Sequence, residues 1–200
     1  MSKFLMLVLP FLCSLSYGSI VGYSTHPFEL NQHVLKSEFA SNFNRGAGMG
    51  LEVSYLTNPL EDFNFELGAG FTDGDRNSRM FAATTYELFP DFGNQPRVSI
   101  KGYIERNQFF NDITQNAVGV APILSKGFAF NELEFFPFVA LPIQFNRESS
   151  EYSEMATSFS FGATAPISTT RQRTINANFE TNINLVNSFT GVALGVGVTL

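Results

Sequence analysis

The sequence predicts an all-β protein: an antiparallel up-and-down transmembrane β-barrel of about 10 strands, with eight as the alternative count. Three observations predict it. Successive segments alternate apolar and polar side chains with a period of two and are separated by turn signals. The polar face of those segments consists of Gly, Ser, Thr, Asn and an occasional Glu, where a water-facing strand would carry Lys, Glu and Arg. Only 15% of the 200 residues are charged, where about a quarter is usual, while Phe occurs 23 times.

The N-terminus reads as an export signal. Lys3 precedes an apolar stretch from Phe4 to Leu15, and Ser16-Tyr17-Gly18 places small residues three before and one before a cut after Gly18. Residues 1–18 are therefore expected to be a signal peptide. Cys13 is the one cysteine, and Leu12 stands before it where lipoprotein signals resemble one another in having a small residue. A mature chain from Ser19 would have no thiol, so disulfides and cysteine-ligated metals are excluded. Residues 19–32, with Pro27 and His26, have weak periodicity and are expected to form a periplasmic lead-in to a barrel over 33–200.

The strands follow in order. His33 to Ala40 is the least regular, since Lys36 and Glu38 would share its polar face. Met49, Leu51, Val53 and Tyr55 oppose Gly48, Gly50, Glu52 and Ser54. Phe63, Phe65, Leu67, Ala69 and Phe71 oppose Asn64, Glu66, Gly68 and Gly70, the plainest alternation in the chain. Met80 to Leu88 is ambiguous in phase. Val98, Ile100 and Ile104 oppose Ser99, Lys101, Tyr103 and Glu105. Val118, Val120, Pro122 and Leu124 share a face, and Leu133 to Phe145 is a long apolar run. Phe159 and Phe161 oppose Ser158 and Ser160, Phe179 and Ile183 oppose Glu180 and Asn182, and Leu194 and Val196 oppose Gly195 and Gly197. An open edge is unfavourable in lipid and bacterial barrels have even strand numbers, which selects ten over nine.

The connections divide into two ends. Thr57-Asn58-Pro59, Pro90 to Asn94 and Ser168-Thr169-Thr170 fall at one, expected to be periplasmic. Asp73 to Asn77, Asn107 to Gln115 and the acidic Asn146 to Glu154 fall at the other. A soluble lipocalin-like binding barrel is the alternative architecture, with the Phe-rich faces turned inward.

Together, the leader and the amphipathic strands resemble the small outer-membrane β-barrel proteins of Gram-negative bacteria. In that family the last strand ends in an aromatic residue, with an apolar residue two places earlier and a glycine five places before the end. Leu200, Val198 and Gly195 fill those places here, Leu200 departing from the usual Phe. The resemblance implies an outer-membrane location and insertion into lipid by the outer-membrane assembly machinery. It implies no particular activity.

Chemistry is sparse. The net charge of -6 and the scattered 12 Lys and Arg exclude nucleic acid as a partner. Barrel enzymes of this kind resemble one another in needing a rim histidine, and His26 and His33 both precede the confident strands. No enzyme, cofactor or metal site is expected, and the spacing of the two histidines with Glu29 matches no ligand motif. The glycines at 46, 48 and 50 lack the Lys-Ser or Lys-Thr of a phosphate loop and are read as relieving crowding in the bore. The phases instead direct Glu52, Glu66, Glu105, Glu134 and Glu180 inward, answered by Lys101 and Arg97. Such buried carboxylates must be paired, hydrogen-bonded or wet. Two readings follow: a polar plug in a non-enzymatic structural or surface-interaction barrel, or a small passive cation-preferring channel. No extracellular partner is specified.

Overall fold

A computed structural model of the chain describes residues 20–25, 27–44, 48–73, 76–109, 112–130, 133–149, 152–169 and 173–200. The expected signal peptide and His26 lie outside these residues. The strands are β1 (His33–Asn42), β2 (Gly48–Leu60), β3 (Phe63–Thr72), β4 (Arg76–Phe89), β5 (Arg97–Phe109), β6 (Thr114–Ser125), β7 (Phe128–Phe130), β8 (Leu133–Ala140), β9 (Ile143–Glu148), β10 (Ser153–Thr169), β11 (Thr174–Val186) and β12 (Gly191–Thr199).

All the pairings are antiparallel, and β12 returns to β1, with Val34 opposite Thr199 and Asn42 opposite Gly191. The sheet thus closes on itself. β8 and β9 are one stave: both pair with β6 on one side and with β10 on the other. Pro142 lies between them and has no N–H to give the ladder, so the stave breaks there. Counted by staves, the wall has ten strands, and the eight-strand alternative is excluded. Several strands run 13 residues, longer than the roughly 9–11 needed to cross a bilayer.

The period-two pattern sets the two faces. Leu51, Val53, Leu67, Ile104, Val118, Phe161, Ile183 and Leu194 are exposed on the outside. Glu52, Ser54, Glu66, Glu105, Ser158, Ser160, Asn182 and Ala193 are buried inside. An outer surface this continuously apolar is unsuited to water and fits the lipid face of a membrane barrel. It overturns the lipocalin-like alternative, which needs those faces inward. β4, ambiguous in sequence, turns Met80, Tyr86 and Leu88 outward and Arg79, Phe81, Ala83 and Thr85 inward.

Among the described residues three aromatic side chains are buried in the bore, and each lies across the strands from a glycine. Phe81 is opposite Gly68, Tyr103 opposite Gly119, and Phe138 opposite Gly162. A Cβ on Gly68 would stand 2.2 Å from Cε1 of Phe81, and one on Gly119 would stand 2.3 Å from the Tyr103 ring. The glycines are what leave room for the rings.

His33 and Leu200 meet at one end, where the Leu200 N–H donates to the His33 carbonyl at 2.9 Å. The β2–β3 and β4–β5 turns lie at this same end, whereas the β1–β2, β3–β4, β5–β6, β9–β10 and β11–β12 turns lie at the other. Asp62, Asp112 and Asn187 take positive φ in their turns, a conformation that Asp and Asn tolerate through local hydrogen bonding. Past Ser125 the β6–β8 hairpin continues as β7, where β5 has ended: Arg97, its first residue, already faces Ser125.

Candidate functional site: a charge-paired and plugged bore

The largest departure from expectation concerns the lead-in. Ile20, Val21 and Thr25 are 4%, 0% and 1% exposed, because this stretch lies within the bore instead of outside the barrel. Its backbone is held on three sides. The Glu180 carboxylate accepts the N–H groups of Ile20 (3.0 Å), Val21 (3.1 Å) and Gly22 (2.7 Å). Lys101 Nζ donates to the Val21 carbonyl at 3.4 Å, and Arg97 Nη1 to the Thr25 carbonyl at 3.1 Å. The Thr25 and Thr164 hydroxyls are 3.3 Å apart.

The two apolar side chains of this segment have matching surfaces. Ile20 packs with Phe81, Ala83, Tyr103 and Ala121, and Phe189 from the β11–β12 turn closes on the same cluster. Val21 packs with Ile123, Phe138 and Ala140. The bore therefore has apolar patches where the segment is apolar and charges where its backbone needs partners. That complementarity satisfies the peptide groups of a segment that lies outside the sheet and has only a short 3-10 helix, Gly22–Thr25, of its own.

Around the plug, the charges form two networks. In one, Glu66 receives Lys101 at 2.7 Å and Lys36 at 3.1 Å, while the Ser54 hydroxyl donates to it at 2.9 Å; Lys36 is also 3.4 Å from Glu38. In the other, Arg79 of β4 has Nη1 2.6 Å from Glu52, which lies across Gly70 of β3, and Nη2 2.6 Å from Glu105 on β5, its guanidinium 4.5 Å from the Phe81 ring centroid. Among the described residues, five carboxylates (Glu38, Glu52, Glu66, Glu105, Glu180) and three cations (Lys36, Arg79, Lys101) are buried. Glu180 takes backbone N–H groups in place of a cation. Ion pairs this enclosed contribute little net stability against an apolar equivalent, but each is expensive to break.

Of the residues singled out from sequence, Glu52, Glu66, Lys101, Glu105 and Glu180 all reach the bore. Glu134 does not. It is exposed on the β7–β8 hairpin opposite Ala129, beyond the point where β6 pairs with β8, so its correct phase has no bore to point into. Arg97 sits at the mouth, paired with Glu87 at 2.8 Å. Sequence reasoning omitted Arg79 from the network because the phase of β4 was unreadable. Lys36 and Glu38 stood on the polar face of β1 but had no assigned partners. Nothing in the period-two pattern flags Ile20 and Val21.

The last strand places its three named residues differently. Gly195 faces the bore, where a Cβ would stand 3.0 Å from Asn178 Oδ1 and 3.2 Å from Glu38 Oε2. Val198 pairs with Leu35 and Ile175 in the wall, and Leu200 is 61% exposed at the rim. Of the histidines, His33 has Nδ1 2.7 Å from the Tyr55 hydroxyl and 3.0 Å from that of Thr57, on the outside of the wall.

A closed ten-stranded wall, an apolar exterior and a charge-paired interior define a transmembrane β-barrel, here with a segment of its own chain in the bore. No family model matches the sequence, and no curated protein does. Among solved structures, the chain is similar to a de novo designed transmembrane β-barrel, with 9% identity, 88% of this chain and 100% of that one covered, and a TM-score of 0.41. It is also similar to the N-terminal β-barrel domain of Pseudomonas aeruginosa OprF, at 12% identity, 86% and 98% coverage and a TM-score of 0.38. Neisserial surface protein A gives 14%, 84% and 94%, and 0.33.

Proposed function

We propose that this chain is a non-enzymatic bacterial outer-membrane barrel, sealed by its own N-terminal segment, whose role is structural or carried by its outer loops. The observation that carries this reading is the Glu180 carboxylate, which holds three consecutive backbone N–H groups of residues 20–22 in the bore. A site built to bind the chain's own backbone at mid-bore is suited to closure rather than to passage.

The export signal over 1–18, insertion by the outer-membrane assembly machinery through the last strand, and the acidic loop from Asn146 to Glu154 facing outward belong to the same proposal. Closed barrels with lipid-facing exteriors are the form in which strands cross a membrane, which supports the location.

The second reading, a passive cation-preferring path, has one observation in its favour: the excess of buried carboxylates over buried cations. Conductance in planar lipid bilayers tests the two. The mature chain is expected to give no steady unitary current, whereas a chain lacking residues 19–32 opens a cation-selective one. Steady cation-selective current from the intact mature chain would establish the channel instead.

A further inference from the structure

The β7–β8 hairpin is a rigid aromatic foot on the barrel, and we propose that it rests in the periplasmic lipid leaflet at the headgroup boundary. Phe128 and Phe130 are 49% and 71% exposed, and Phe92, in the adjoining β4–β5 turn, is 80% exposed. Their direction is given by register. Ser125 faces Phe138 and Phe128 faces Phe135 without any slip between, so β7 continues β6. Phe128 and Phe130 are then in phase with Val118, Val120 and Leu124, the lipid-facing residues of β6, and Phe135 is in phase with Val139 of β8. The lipid face of the barrel thus runs on, unbroken in phase, onto the hairpin.

Its attachment is built rather than loose. Lys126 Nζ is paired with Asp91 and donates to the Gly93 carbonyl at 2.6 Å and to that of Gln95 at 3.3 Å. The Gly127 N–H donates to the other Asp91 oxygen at 2.6 Å. This clasp ties the base of the hairpin to the turn that carries Phe92. The Phe128 and Phe135 rings stack at 5.5 Å, which ties the two strands of the foot together next to the clasp. Three large aromatic groups held on a fixed frame with about half or more of their surface exposed need an apolar neighbour. Lipid is the neighbour that the adjoining face of the same strands already has. Aromatic rings settle at the headgroup boundary of a bilayer, where apolar surface is covered while the polar clasp stays wet.

The inference rests on the membrane reading, and the test separates the two. The chain has no Trp, so a single one reports alone. Phe130→Trp probes the foot, Phe92→Trp is a second probe on the other side of the clasp, and Leu67→Trp, on the exposed outer face of β3, probes the barrel wall. Each full mature chain is folded into phosphatidylcholine vesicles, with heat-dependent gel mobility confirming the fold. The lipids are brominated either near the carbonyl end or near the middle of the acyl chains. The expected result is blue-shifted emission at both foot positions with greatest loss of emission from bromines near the carbonyls, while Leu67→Trp is quenched most by the deep bromines. Water-like, unquenched emission at both foot positions, with Leu67→Trp still quenched, overturns the foot and leaves that face for a protein. If Leu67→Trp is also unquenched, the membrane reading fails and the foot with it.

Discussion

Gly22 donates its N–H to Glu180 at 2.7 Å across 158 residues of chain. The same carboxylate also holds Ile20 and Val21, so one side chain of β11 fixes the N-terminal segment in the bore. Replacing Glu180 by Ala removes a charged acceptor from three buried donors. Hydrogen bonds to a charged group contribute about 1.5–3 kcal/mol, and the donors left behind are not resolvated. The plug is expected to unseat. A Val21→Cys reporter, in a chain produced from Ser19 onward and so without Cys13, should be unreactive to a maleimide when Glu180 is present and reactive in the Glu180→Ala background. Equal protection in both would show that the apolar contacts alone retain the segment.

Arg79 bridges Glu52 and Glu105, and all three are buried. Arg79→Met should lower stability by about 3–5 kcal/mol, because it leaves two carboxylates in the bore without their shared cation. Adding Glu52→Gln and Glu105→Gln removes the stranded charges and should recover much of the loss. Urea unfolding of single, double and triple variants in lipid vesicles measures this coupling. A triple variant no better than Arg79→Met alone would mean that packing against Phe81, rather than charge, is what Arg79 supplies.

The glycine–aromatic pairs give graded expectations. A Cβ at Gly68 meets the Phe81 ring and one at Gly119 meets the Tyr103 ring, whereas one at Gly102 meets nothing within 4 Å. Gly68→Ala and Gly119→Ala should each lose about 1–3 kcal/mol as the rings are pushed into the Ile20 cluster, while Gly102→Ala stays near neutral. Thermal unfolding of the three variants side by side would show the order, and a uniform loss would count against it.

The clasp at the foot has a pH dependence. Burial alone would raise the Asp91 carboxyl, but the Lys126 hydrogen bond, the Gly127 N–H and the charges of Lys126 and Arg97 outweigh it and hold the group below its usual value. A depressed carboxyl contributes stability that is fully present above its unfolded value, near 3.9, and is lost as pH falls through the lower folded value. Emission from Phe92→Trp should therefore be constant from neutral pH down to the ordinary carboxylate range and change only below it. Lys126→Met should produce the changed emission already at neutral pH. A transition near pH 6–7 in the unmodified clasp would assign the change to another group.

Much of this protein is legible without its structure. A side-chain period of two, kept up by residues such as Phe65, Leu67 and Glu66, states which face each residue takes, and the Gly, Ser and Asn of the opposite face state that the interior is narrow. Closure follows, since an unpaired edge cannot stand in lipid, but only the strand pairing decides ten staves over eight. What the period cannot carry is depth and partner. Phase placed Glu134 inward with Glu66, but only the fold reveals that the wall has ended where Glu134 sits. Arg79 meets Glu105 on the neighbouring strand and Glu52 across Gly70 of β3 because the ladder register sets Glu52, Gly70 and Arg79 in one row, and register is a property of the paired sheet.

The N-terminal segment marks the limit most clearly. Ile20, Val21, Gly22 and Thr25 meet strands from several sides of the wall and so have no polar and apolar face to alternate; the sequence of this stretch reads as a tether. Only the tertiary structure, by putting Glu180, Lys101 and Arg97 at the heights of successive peptide groups, turns that tether into the stopper of the bore.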